Sequence, residues 1–163
     1  CADHSGAAGA GADVINIVPL SEVPHHASHI TDWLWQAFGA GCAREFYDSI
    51  VRSSLNGADY PVTFVALDGD VPLGTVGFWR CDLISRQDLY PWLAALYVDE
   101  HARGQGLSEA LQQHVIEYAR ERGHEKLWLW STFGGYYERF GWQYQCDALE
   151  FPDVRVKVYA REL

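Results

Sequence analysis

Arg103-Gly104-Gln105-Gly106-Leu107-Ser108 follows an apolar run, Leu93 to Val98, and leads directly into a stretch of helical periodicity. Glycines accept φ > 0 and carry no Cβ. Consecutive N–H groups of such a turn can therefore converge on an anion, while the helix behind points its positive dipole end at the same spot. The chemistry is phosphate binding. Two other phosphate loops do not fit: G-x-G-x-x-G needs a third glycine where Glu109 stands, and no G-K-S/T occurs. A second cluster is His25, His26 and His29, in which His25 and His29 have the i, i+4 spacing of two ligands on one helix face. They are expected to form a polar helix start, and no metal site is expected. Acids gather around the apolar run: Asp82 and Asp88 before it, Asp99 and Glu100 after it.

The elements that must position these groups are legible from periodicity. Val14 to Val18 predicts a strand. Ile30, Trp33, Leu34, Ala37 and Phe38 predict a helix, and Phe46, Tyr47, Ile50, Val51 and Leu55 a second one behind Gly39-Ala40-Gly41. Pro61 to Leu67 and Pro72 to Arg80 predict strands joined by Asp68-Gly69-Asp70, a hairpin signal. A polar loop, Cys81 to Tyr90, precedes the fourth strand. Behind the glycine turn, Leu107, Leu111, Val115, Tyr118 and Ala119 recur on one helix face, and Gly123 suits a left-handed end. Lys126 to Ser131 has no polar residue in its middle and predicts a strand buried on both faces. Gly135 to Trp142 predicts a short helical turn closed by Gly141, and Trp142 to Glu150 with Val154 to Tyr159 a last hairpin around Pro152-Asp153.

Strand, Arg-Gly-x-Gly turn, helix, strand, then Tyr136-Tyr137-Glu138-Arg139-Phe140-Gly141-Trp142: this series resembles the GCN5-related N-acetyltransferases, the GNAT superfamily. The turn is similar to the family's R/Q-x-x-G-x-G/A signature, and the Tyr-Glu-x-x-Gly-aromatic element to the one that follows its fifth strand. The resemblance spans about residue 14 to residue 163, its specific motifs lying between Pro91 and Trp142. It implies an α/β (α+β) fold: a mixed, mostly antiparallel sheet of six to seven strands, splayed between strands 4 and 5, with helices on both faces. It also implies acetyl-CoA as co-substrate. Arg103, Gly104, Gln105, Gly106, Leu107 and Ser108 would hold the pyrophosphate, and the edge of the fourth strand at Leu96, Tyr97 and Val98 would pair with the pantetheine amides as an added strand. Two features depart from the pattern. Ser108 replaces the last Gly or Ala, so its hydroxyl must point away from the phosphates or donate to them. The linker Phe133-Gly134-Gly135 is shorter than the polar segment often found there.

Acetyl transfer from a thioester to an amine needs a proton for the departing thiolate. Tyr137 occupies the family's position for that acid. A phenol of pKa about 10 stays protonated at neutral pH and can still donate to a thiolate of pKa about 8.5. Tyr136 is its neighbour, but successive residues of a helical turn face about 100° apart, so one of the two addresses the cleft. The acceptor amine must be neutral, and at pKa about 10.4 only about one molecule in a thousand is neutral near pH 7.4. No general base is assigned. Trp92 and Trp142, beside the motif strands, are core residues or walls of an acceptor pocket.

At 163 residues, 48% of them apolar, the chain has room for one domain: a flexible tail at 1–13 and one acetyltransferase domain at 14–163. The formal charge of −10 argues against binding a polyphosphate and for a cationic acceptor. No apolar run reaches a membrane span, and Cys1, Cys42, Cys81 and Cys146 form no C-x-x-C pair. Reduced thiols and a cytoplasmic location are the expectation, with no membrane and no nucleic-acid partner. Methionine is absent, so the chain is expected to differ from a bare translation product. The expected activity is acetyl-CoA-dependent N-acetylation of a primary amine on a small molecule or exposed peptide. A catalytically silent CoA-binding module, a protein or peptide N-acetyltransferase, and a homodimer are alternatives left open.

Overall fold

The computed structural model describes residues 14–163, so the expected tail at 1–13 lies outside the described residues. The alternating and fully apolar runs become seven strands: β1 (Ile15–Pro19), β2 (Val62–Asp68), β3 (Val71–Trp79), β4 (Trp92–Val98), β5 (Lys126–Ser131), β6 (Gln143–Glu150) and β7 (Val154–Glu162). They form one sheet in the order β1-β2-β3-β4-β5-β7-β6. Neighbours are antiparallel except β4 and β5, which run parallel. The mixed, mostly antiparallel sheet expected from the sequence is therefore present.

Three α-helices cover it: α1 (Ala27–Phe38), α2 (Arg44–Ser53) and α3 (Leu107–Glu121). The helical stripe of α3 buries Leu107, Leu111, Val115, Ile116 and Ala119 against Phe64, Val76, Phe78, Leu93, Leu96, Leu127 and Leu129 of the strands. Its C-terminal end is set by Gly123 at φ 83: the His124 N–H donates to Ala119 O and the Gly123 N–H to Arg120 O, the paired bonds of a left-handed helix stop. Helices α1 and α2 bring Ile30, Leu34 and Val51 onto Val65 and Leu67. A third cluster, Leu83, Trp92, Val156 and Val158, lies under the loop between β3 and β4.

β5 shows why its middle carries no polar residue. Leu127 and Leu129 enter the α3 core while Trp128 and Trp130 pack on the third cluster, so both faces are covered. Trp92 and Trp142 are 0% and 2% exposed, and their indole N–H groups donate to Leu89 O and to Gln112 Oε1. Both are satisfied core residues.

Candidate active site

The site is built where the sheet opens. Among the described residues the β4–β5 ladder registers at one pair, Trp92 with Trp128; the two strands part beyond it. On its other side β4 pairs with β3, but the register slips. Thr75 faces Tyr97 and Gly77 faces Ala94, so Ala95 and Leu96 together oppose Val76. This is a β-bulge, with Ala95 at φ 51, a left-handed conformation costing a non-glycine residue about 1–2 kcal/mol. The bulge turns Ala95 and Tyr97 toward the α1/α2 side and Leu96 and Val98 toward α3. An alanine carries no letter that announces it.

Past β4, Gly104 and Gly106 both have φ 79. The first helical bond of α3 runs from Ala110 N–H to Gly106 O, and no side chain caps the helix start. The N–H groups of Leu107, Ser108 and Glu109 thus precede the ladder, at the positive end of a 15-residue helix. A Cβ placed on Gly106 would meet no protein atom within 4 Å. Two left-handed glycines two positions apart, an uncapped helix start and open space are the parts from which an anion cradle is made, and the chemistry of these donors suits a pyrophosphate.

The side chains of the turn do other work. The Arg103 Nε donates to Val98 O at 3.0 Å and the guanidinium lies 5.6 Å from the Tyr97 ring centroid, so this arginine staples the turn to the end of β4. Tyr97 in turn packs on Trp33 of α1. Leu107 is buried in the core, which leaves its backbone to face the cradle, and Gln105 is exposed. Ser108 is 0% exposed and its hydroxyl bonds that of Tyr136 at 2.7 Å. Gln112 donates to the same Ser108 oxygen and accepts from Trp142, so a buried polar chain ties α3 to the turn at 136–142. Of the two orientations open to Ser108, the hydroxyl takes the inward one.

Tyr137 begins a short 3-10 turn, Tyr137–Phe140, closed by Gly141 at φ 88. It packs on the α3 core beside Phe133, Tyr136 and Tyr159. Its hydroxyl has no hydrogen bond to any of the described residues, and burial holds its pKa far above the usual value near 10. Tyr136 and Tyr137 are thus separated as helical geometry requires: one is bonded to Ser108, and the hydroxyl of the other bonds none of the described residues.

Among the sequence-selected acids, Asp88 is paired with Arg86 at 2.8 Å, while Asp99 and Glu100 stand at the end of β4, and His101 lies 3.8 Å from Glu100. Asp82 has a partner the spacing did not reveal. Its carboxyl is held well above the ordinary range by burial and then by Glu150, 68 residues along the chain. Burial likewise raises Glu150, whose Oε2 is buried without a hydrogen-bond partner. Tyr47 of α2 is raised by burial and then by Cys42, Asp82 and Glu150. Cys42, Cys81 and Cys146 are free thiols.

The acetyltransferase (GNAT) family profile matches residues 27–142, and the chain belongs to that family. It is an acyltransferase, an acetyl-transferring enzyme. Solved structures share the fold at low identity. A GNAT-family protein from Desulfovibrio desulfuricans superposes with a TM-score of 0.73 at 18% identity, covering 91% of this chain and 99% of its own. A GNAT acetyltransferase from Elizabethkingia anophelis with acetyl-CoA bound gives 0.66 at 16%, covering 91% and 98%. An aminoglycoside 6'-N-acetyltransferase complexed with coenzyme A gives 0.71 at 14%, covering 90% and 96%. No curated protein matches by sequence. Among the described residues no helix is long and apolar enough to cross a membrane.

Proposed function

We propose that residues 14–163 act as one acetyl-CoA-dependent N-acetyltransferase unit whose acceptor is a primary amine of cationic character. The observation that carries the cofactor is the cradle: Gly104 and Gly106 at φ 79 before the uncapped start of α3, beside the point where β4 and β5 part. When bound, acetyl-CoA supplies an acetyl group as a thioester. Its transfer to a neutral amine forms a C–N bond, breaks the C–S bond, leaves a thiolate that needs a proton and releases one proton from the nitrogen to water. The backbone N–H groups of the turn and of Leu107 to Glu109 hold the pyrophosphate, and the parted edge of β4 at Leu96 to Val98 takes the pantetheine arm. Tyr137 is the group that protonates the sulfur, since its hydroxyl is unengaged and burial keeps it protonated.

Asp82 and Glu150 support the cationic acceptor. Both carboxyls are raised by burial, and Oε2 of Glu150 lacks a donor. An ammonium placed between them supplies that donor and favours their ionised forms. Small polyamines and lysine-like amines fit better than amines flanked by carboxylates. A screen of amines with acetyl-CoA, read by free-thiol release, tests this together with Glu150→Gln. The expected result is turnover with cationic amines and a raised KM for them in the variant, with KM for acetyl-CoA unchanged. A preference for anionic acceptors, or a variant with unchanged KM for the amine, overturns the acceptor assignment and leaves the cofactor assignment standing.

A further inference from the structure

We propose that His25, His26 and Asp70 form a binding site for one divalent transition-metal ion of the zinc type. Sequence spacing points to His25 and His29 as the pair on one helix face, but the fold brings together a different set. Pro24–His26 is a 3-10 turn ahead of α1, and that turn aims the two neighbouring imidazoles at a common point. The third group comes from the tip of the β2–β3 hairpin, 44 residues further along: Asp70 Oδ1 lies 2.9 Å from His25 Nε2 and 2.9 Å from His26 Nε2. The imidazole centroids are 4.1 Å apart, and the three ligating atoms all fall within 4.8 Å of one another. His29 points elsewhere, its ring set edge-on against Trp33 at 4.5 Å.

Two imidazole nitrogens and one carboxylate oxygen are a borderline donor set, suited to zinc, cobalt(II) or nickel(II) and poor for magnesium or calcium, which want oxygens. Ligands about 2.0–2.2 Å from a tetrahedral ion stand roughly 3.3–3.5 Å from each other, so the two 2.9 Å spacings from Asp70 to the imidazoles need to open by about half an ångström. The side chains that must move are free to do so. Asp70 is 74% exposed on a hairpin tip and His25 58%, while His26, at 9%, gives the site one fixed wall. The exposed side leaves room for water as the remaining ligand. An aspartate carboxylate, with an ordinary pKa of about 3.9, is ionised at neutral pH, so a charged oxygen is in place for the ion. A bound ion joins the start of α1 to the hairpin that leads into β3, a structural clip separate from the acyl-transfer site.

The test uses the whole protein, alkylated at its thiols and stripped with a chelator, titrated with zinc at pH 7.5 by calorimetry and thermal melting, and with cobalt(II) by visible absorption. The expected result is one zinc per chain, a raised Tm and tetrahedral cobalt bands. Because His25 is exposed, His25→Ala leaves the fold intact. It should weaken zinc binding by at least the roughly 10- to 100-fold that even an outer-sphere partner is worth. Asp70→Asn should do the same and His29→Ala should not. No zinc-dependent shift in Tm overturns the site. So does a shift that persists in His25→Ala or Asp70→Asn, or one that His29→Ala removes equally.

Discussion

The hydroxyl oxygens of Ser108 and Tyr136 stand 2.7 Å apart, a fully buried serine meeting a half-buried tyrosine and joining the first turn of α3 to the segment that carries Tyr137. The serine that departs from the family's Gly or Ala is thus a structural tie between the cradle and the candidate acid. With Gln112 and Trp142 it makes a chain of four side chains in which each hydrogen-bonding group has a partner.

Removing one member of that chain orphans another. Ser108→Ala leaves the Tyr136 hydroxyl and the Gln112 amide without their shared oxygen and should cost about 1–3 kcal/mol of stability. Tyr136→Phe should cost a similar amount, and the double variant should lose clearly less than the sum of the two. Chemical denaturation of the four proteins checks the cycle; additive losses would show that the two hydroxyls do not interact. Tyr136→Phe is therefore a perturbing control for Tyr137, and its stability must be measured beside its rate.

The glycine turn is tested by matching strain at the two ends of α3. Gly106 and Gly123 have φ 79 and 83, and a Cβ on either meets nothing within 4 Å. Alanine at each should then cost about 1–2 kcal/mol through backbone conformation alone. CoA at a hundredfold excess over its Kd should stabilise the wild type by about 2.7 kcal/mol. Gly123→Ala should keep that gain, and Gly106→Ala should lose most of it. If both variants respond to CoA like the wild type, the cradle is not at Gly106.

The order of elements was readable because each rests on local letters: the apolar run of β4, the paired glycines after it, the stripe of α3 and the stop at Gly123. Distant pairings were not. Glu150 acts on the Asp82 carboxyl and His25 meets Asp70 only once the sheet order is set, and no spacing in the chain encodes either relationship. The bulge at Ala95 was invisible for another reason, since alanine is no marker of φ 51. Arg103 shows the limit of reading a motif by residue type. Its charge suggests a phosphate ligand, and its type does not announce the second contact the fold gives it, Nε donating to Val98 O.

Tyr137 separates chemistry from packing with a single oxygen. Its hydroxyl bonds no described residue, so Tyr137→Phe orphans nothing, and stability and CoA affinity near neutral pH should hold. General acid catalysis is worth roughly 10²- to 10⁴-fold, so kcat should fall by that order with KM for acetyl-CoA nearly constant. Burial raises the folded-state pKa, so the neutral phenol is favoured in the native protein. That contribution to stability is fully present below the unfolded value of about 10 and is lost as pH rises above it toward the folded value. Wild type should accordingly lose Tm more steeply than Tyr137→Phe above about pH 10, and its kcat should show no falling limb below that pH from this group. Tyr47, Tyr60, Tyr144 and Tyr159 are also raised, but they are common to both proteins and cancel in the comparison. A Phe variant with wild-type kcat would move proton donation to solvent and leave Tyr137 as a packing residue.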